Sequence, residues 1–350
     1  MKKFMLLGLA LMMCLTLNAK EATLPDPDGK PADMSKPVQV YILLGQSNML
    51  GFGKPTGGKD GCLDYAVKNK KLYPYLMDNG AWTVRKDVRN VRVMGSGGPG
   101  KSRVFNNEWM TIGRGKIGPE IGIGHYLGDN IDAPVLILKS CIGNRSLGWD
   151  LLPPGTPRYS HNGKEYAGYK ETVKSKRDKT IVPYVKGGPM LQWYAGCQYD
   201  GDIARAKDVL KNLSKYYPGA KKYEVAGFFF WQGDKDRYNE GHAANYEKNL
   251  VRLIKALRKD FNAPKAKFVC ASLGQTKKGK GGTEGMILQG VLNVDGNSGK
   301  YKDFKGNVAS VYSHPLSKGS SSNGHYGGNA ETYMNIGEAM GKAMVKLLKK

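Results

Sequence analysis

The chain has 350 residues and is poor in the residue types that build metal centres: five histidines and five cysteines. No two cysteines form a CxxC pair and no paired metal-ligand spacing occurs, which excludes a zinc-stapled fold and gives no reason to expect a metal or another cofactor. Beyond the first nineteen residues no apolar run reaches the roughly 20 residues that a membrane-spanning helix needs. There is no internal repeat, so a solenoid or propeller is not expected. Acidic residues are scarce beside basic ones, 30 Asp and Glu against 54 Lys and Arg, for a net charge of +24. Such a balance favours polyanions: nucleic acid, an anionic membrane or an acidic polysaccharide. The lysines are also dispersed, as on any solvated surface.

What is present begins with an address. Lys2-Lys3, an apolar core from Phe4 to Leu17, and Leu17-Asn18-Ala19 read as a signal peptide cleaved near Ala19. The apolar core is too short for stable membrane insertion. The expectation is export, periplasmic or secreted, which argues against nucleic acid as a partner. Residues 20–36 are rich in Pro, Asp and Lys and read as an extended lead-in. Residues 37–350 then form one large domain. Outside the leader stand Cys62, Cys141, Cys197 and Cys270. Four cysteines allow three pairings, and the sequence does not choose among them. Cys141 and Cys270 lie at or in apolar strand-like runs, which suits buried thiols.

Apolar, β-rich runs alternate with amphipathic segments along this domain. Val38–Leu44, Pro134–Ser140, Val225–Trp231, Lys267–Leu273 and Val308–Tyr312 read as strands. Helices are expected from Gly118-Pro119-Glu120, from Asp200 or Asp202 as a cap, over Tyr246–Phe261, near 285–292, and from Ala330 onward. Residues 51–117 are glycine-rich and read as long loops with a short strand near Val91–Met94. Residues 153–190 read as a basic insertion, with eight basic and three acidic side chains between Thr156 and Met190. The alternation predicts a three-layer α/β/α sandwich with a mainly parallel sheet. Sites in such folds lie at the carboxyl ends of the strands. Ser47, Gly143 with Asn144, and Asp234 each follow a strand, and His325 follows the last one.

A serine hydroxyl becomes a nucleophile when a base takes its proton, and a histidine oriented by a carboxylate is the usual base. Gly45-Gln46-Ser47-Asn48-Met49 is not GxSxG, so the nucleophile elbow of the α/β-hydrolases is absent. Among the histidines, His325 stands in Asn323-Gly324-His325-Tyr326-Gly327-Gly328, where flanking glycines allow close approach to a reacting centre. His314 is the reserve.

Five blocks in order resemble the SGNH hydrolases, and among them the sialate O-acetylesterase-like group, which includes carbohydrate acetylesterases. They are Gly45-Gln46-Ser47-Asn48-Met49, Gly118-Pro119-Glu120-Ile121-Gly122, Lys139–Leu147, Trp231-Gln232-Gly233-Asp234 and His325–Ala330. The resemblance implies a flavodoxin-like fold and an exported serine esterase that removes O-acetyl groups from a carbohydrate. It makes Ser47 the nucleophile and His325 the base. The backbone N–H of Ser47, an N–H near Gly118 or Gly143, and the Asn144 side chain would hold the oxyanion. Gln46, Arg145, Gln232 and Tyr326, which stand in the same blocks, are the candidates for substrate contact. Two positions depart from the pattern. The aspartate often found three residues before the histidine is Ser322, and the glutamate of the Trp-Gln-Gly-Glu block is Asp234. Asp234 is therefore expected as the triad acid, with Asp236 as the alternative. The positive charge is compatible with an acidic glycan substrate. The competing readings are a non-catalytic glycan-binding protein on the same fold and a lipase- or thioesterase-like SGNH hydrolase.

Overall fold

The computed structural model describes residues 32–100, 102–188 and 190–349, so the leader and most of the lead-in lie outside the described residues. Seven strands make the main sheet: β1 (Val38–Gly45), β2 (Val88–Met94), β3 (Arg103–Trp109), β4 (Val135–Ser140), β5 (Tyr223–Trp231), β6 (Lys267–Ala271) and β7 (Val308–Val311). Their order across the sheet is β7-β6-β5-β1-β4-β2-β3. All neighbours are parallel except β2 and β3. β1 thus sits at the centre, and Gly45 is level with Trp231 on β5.

Alternation along β1 decides which layer each side chain joins. Val38, Val40, Ile42 and Leu44 enter one core, while Tyr41 and Leu43 enter the other. Six helices position the site or cover the sheet: α1 (Ser47–Leu50), α2 (Glu120–Asn130), α3 (Cys197–Lys211), α4 (Tyr246–Asp260), α5 (Gly282–Asn293) and α6 (Ala330–Leu348). α3, α4 and α5 pack on the first face, α2 and α6 on the second. α4 shows why: Leu250, Leu253, Ile254 and Leu257 fall on one side at three- and four-residue spacing and are all buried. Each such side chain contributes about 1.5–3 kcal/mol, well above the few tenths from a surface ion pair. The result is the three-layer α/β/α sandwich expected from the sequence.

Two expectations need correction. Residues 51–117 are more ordered than a run of loops, since they hold β2, β3 and a short helix at Leu63–Lys68. β3 is an edge strand with mostly polar side chains, so it carries no apolar alternation to betray it. Asp200 and Asp202 do not cap α3 but lie inside it, because the helix already begins at Cys197 after the left-handed Gly196. The basic stretch 153–190 forms two small antiparallel ribbons, Tyr159–His161 with Lys164–Tyr166 and Glu171–Val173 with Ile181–Pro183. Cys62, Cys141, Cys197 and Cys270 are all free and buried.

Candidate active site

The chain leaves β1 through Gly45 at φ 144°, where a side chain would meet the Trp231 carbonyl oxygen at 2.3 Å. Only glycine fits that close approach of the two central strands. Ser47 then opens α1. As the first helical residue it has no intrahelical acceptor for its N–H, and no acceptor for it occurs among the described residues. Its side chain is mostly buried but not sealed. Gly143, just past β4, lies against it, and a Cβ on Gly143 would sit 3.6 Å from the Ser47 Cβ.

A buried ion pair supports this turn. Lys139 Nζ donates to Glu120 Oε2 at 2.6 Å and to the Leu50 carbonyl, the last of α1, at 2.9 Å. Glu120 Oε1 accepts the Gly118 N–H at 3.0 Å. The N–H of Gly118 is therefore already spent, which removes Gly118 from the expected oxyanion donors. The Gly143 backbone beside Ser47 and the exposed, left-handed Asn144 remain.

The 143–148 loop is riveted in place. Arg145 donates to the carbonyls of Gly143 and Asn144, to Ser96 Oγ and to Gln198 Oε1, and its guanidinium lies 4.8 Å from the Trp193 ring centroid. Gln232 is buried and gives its amide hydrogens to the Arg145 carbonyl and Asp236, while its oxygen accepts from Tyr246. Neither matches a side chain held free for substrate: Arg145 fixes the loop, and Gln232 has no polar atom left to offer. Gln46 is buried too, although its Nε2 finds no acceptor among the described residues. The ring of Tyr326 is fully buried, stacked 5.8 Å from Trp231 at 20°, and its hydroxyl accepts the Gly274 N–H. Tyr326 anchors the histidine turn and does not reach a ligand.

The two aspartates after β5 have opposite fates. Asp236 is fully buried and accepts the N–H groups of Leu147 and Gly148 at 2.9 and 2.7 Å. Burial pushes its carboxyl up to about 6, opposed by the Gln232 and backbone donors. It is a staple of the loop, which excludes it as the orienter of His325. Asp234 points to the histidine turn. Its Oδ1 accepts from Ser322 Oγ at 2.5 Å and from Arg237 Nε at 2.9 Å. Both donors use the same oxygen, and no donor to Oδ2 occurs among the described residues. Its charge is the one that acts on His325.

His325 begins a left-handed turn, with φ of 50°, 53°, 65° and 75° at His325, Tyr326, Gly327 and Gly328. This turn packs against α1. The imidazole stacks on Phe52, and burial lowers its pKa while Asp234 works against that shift. The other histidines are differently employed. His125 is buried in α2 against Tyr75, burial takes His242 down to about 4, and His161 lies 3.6 Å from Glu240. His314 Nδ1 contacts the Gly274 carbonyl at 2.7 Å. Among the described residues no group of three or more potential ligands is placed to hold a metal, and no helix is long and apolar enough to cross a membrane.

The sequence reading missed Phe52, the Lys139–Glu120 pair, Arg237 and the role of Ser322. A lysine at the end of the apolar run Val135–Leu138 was one available signal, because a buried ammonium requires a carboxylate partner. Several aromatic side chains of the 149–194 region that could offer flat faces to a sugar are used within the protein. Tyr159 stacks on Tyr166 at 4.9 Å, Tyr169 and Tyr194 both donate to Asp200, and Trp193 Nε1 donates to Asp150.

Comparison with known proteins follows this geometry. The family model described as "carbohydrate esterase, sialic acid-specific acetylesterase" matches residues 160–346, a segment that contains Asp234 and His325 but not Ser47. Among solved structures, the carbohydrate acetylesterase XAC1771 from Xanthomonas citri aligns with a TM-score of 0.51 at 12% identity, over 87% of this chain and 55% of that one. A protein from Arabidopsis thaliana aligns at 0.48 and 16% identity, over 88% of this chain and 98% of that one. NanS aligns at 0.36 and 13% identity, over 70% and 69%. At 12% identity the XAC1771 match shows the fold alone. No curated protein matches by sequence.

Proposed function

Because the chain belongs to the carbohydrate esterase family of sialic acid-specific acetylesterases, we propose that it hydrolyses O-acetyl esters on a carbohydrate through an acyl-enzyme on Ser47. One observation supports the catalytic assignment most: the Asp234 carboxylate is tied to Ser322 of the histidine turn, and that turn packs against the helix opened by Ser47.

In this reading His325 takes the Ser47 proton as Oγ attacks the acetyl carbonyl. The tetrahedral oxyanion is met by the N–H of Ser47, the N–H of Gly143 and the Asn144 side chain. A donor of this kind contributes about 3 kcal/mol to the barrier. His325 then returns the proton to the sugar oxygen as the C–O bond breaks, and the alcohol leaves. Water attacks the acetyl-serine, His325 takes its proton, and Ser47 is restored with release of acetic acid. Asp234 holds the imidazolium through its Oδ2 in both halves.

The proposal extends to location and substrate charge. The amino-terminal leader directs the chain to export. Lys54, Lys59 and Asp60 line a cavity of about 170 Å³ against Tyr326–Asn329; Asp60 is paired with Lys70, while neither Lys54 nor Lys59 is in an ion pair among the described residues. An acidic glycan suits that surface.

Hydrolysis of p-nitrophenyl acetate and of an O-acetylated sugar by the protein and by its Ser47→Ala variant tests the reading. Acetate release by the parent and none by a folded Ser47→Ala supports it. Equal activity in both, or none in the folded parent, sinks it.

A further inference from the structure

The segment that presents Ser47 also sends a ring to His325. Gly51 caps α1, and the next residue, Phe52, lies flat on the imidazole with ring centroids 3.9 Å apart and planes 8° from parallel. The backbone beneath Phe52 is fixed on both sides. Gly53 exchanges two hydrogen bonds with Ile117, at 2.9 and 3.0 Å, and the Lys54 N–H donates to the Gly328 carbonyl at 3.0 Å. The last of these joins the Phe52 segment directly to the histidine turn.

Such a contact matters differently before and during the reaction. The face of an aromatic ring carries negative potential, so a cation held over it within about 6 Å is attracted, while a neutral ring gains far less. His325 is neutral when it waits as a base and becomes an imidazolium as Ser47 gives up its proton. An interaction that strengthens only with that charge accelerates the step and leaves substrate binding alone. The ring is also held in an unusual place: His325 is left-handed, a backbone that a non-glycine residue keeps only when its surroundings insist. Asp234 is the charged group that acts on the imidazole, Lys54 lies against Gly328, and the nearby Tyr326 and Tyr333 are kept neutral by burial.

Resting on the reading of His325 as the base, we propose that Phe52 is a positioning residue of the active site. Its ring sets the plane of the imidazole, and its π face stabilises the imidazolium formed in the transition state.

Phe52→Leu and Phe52→Tyr separate this role from packing. Leucine keeps the bulk and the exclusion of water but has no π face, whereas tyrosine keeps the face. The readouts are kcat and KM on p-nitrophenyl acetate and the His325 titration followed by NMR. Phe52→Leu is expected to lower kcat several-fold, up to about tenfold, with KM unchanged and the imidazole pKa reduced. Its imidazole C–H signals, relieved of the Phe52 ring current, move downfield. Phe52→Tyr stays near the parent in all of these. A Phe52→Leu variant with parental kcat and pKa overturns the proposal, as does a Phe52→Tyr variant as impaired as the leucine one. Should Phe52→Leu not fold, Phe52→Met takes its place with the same criteria. If Ser47→Ala hydrolyses ester as well as the parent, the esterase reading itself has failed, and the NMR titration still decides the stack.

Discussion

The turn that carries Ser47 and the turn that carries His325 meet at the carboxyl end of the central strands but are built in opposite ways. Ser47 continues a buried central strand, and its support is a buried charged pair between β4 and α2, Lys139 with Glu120. His325 has no strand behind it. It hangs on a left-handed loop fixed by contacts distant in the chain: Tyr326 wedged against Trp231, Ser322 on Asp234, and Phe52 on the imidazole. A nucleophile needs a hydroxyl at a fixed place. A base needs a ring plane, a tautomer and a carboxylate at once, so its support is drawn from more of the molecule.

The sharpest break in this comparison is removal of the hydroxyl proposed as nucleophile. Ser47→Ala should lower kcat by roughly 10⁴–10⁶-fold while the melting temperature hardly moves. On the histidine side, Asp234→Asn should cost roughly 10²–10⁴-fold in kcat, with a smaller effect on KM. Asp236→Asn tests the contrast between the two acids: it should spare the chemistry far more than Asp234→Asn but change the pH dependence of unfolding. The folded pKa of Asp236 is raised from 3.8 to about 6, so the stability it contributes is present below pH 4 and is lost as pH rises toward 6. Thermal melts across that window should show the slope in the parent and lose it in the variant.

Beside the Ser47 turn, Lys139→Met strands the Glu120 carboxylate in the core and should cost about 3–5 kcal/mol in a urea titration. The double variant Lys139→Met with Glu120→Gln should recover part of that loss. Ser322→Ala is milder. It removes one of two donors to Asp234 Oδ1 and should lower kcat by about tenfold, since a hydrogen bond to a charged group is worth about 1.5–3 kcal/mol. The smallest effect is on pH. His325 must be neutral to act, and burial lowers its pKa below 6.5, so the acid limb of kcat/KM should fall below pH 6.5. A limb above that value would mean that Asp234 outweighs burial.

This asymmetry also explains what the sequence made legible. β1, β4, β5 and β6 announce themselves as apolar runs, and the C-terminal helix begins at Ala330 as its pattern predicts. The parallel α/β/α layering and the placement of Ser47 at a strand end follow from them. β3 was missed because an edge strand buries little, and the start of α3 was missed because its cap is a left-handed glycine, Gly196, and not one of the aspartates that usually mark a helix start. Ser322 read as the loss of a carboxylate, yet its hydroxyl reaches Asp234 across 88 positions of sequence. Gln232 and Tyr326 read as substrate contacts because they neighbour reactive residues. Proximity in a motif says nothing about which way a side chain points, and both point into the core.

The central claim is that Ser47 is made nucleophilic by its partners from the histidine turn. Incubation with diisopropyl fluorophosphate, followed by peptide mass mapping of the parent and of His325→Ala, tests it most directly. The account predicts a stoichiometric adduct on the peptide containing Ser47 in the parent and almost none in His325→Ala. An unlabelled parent, a label on another residue, or equal labelling of Ser47 in both proteins would contradict it.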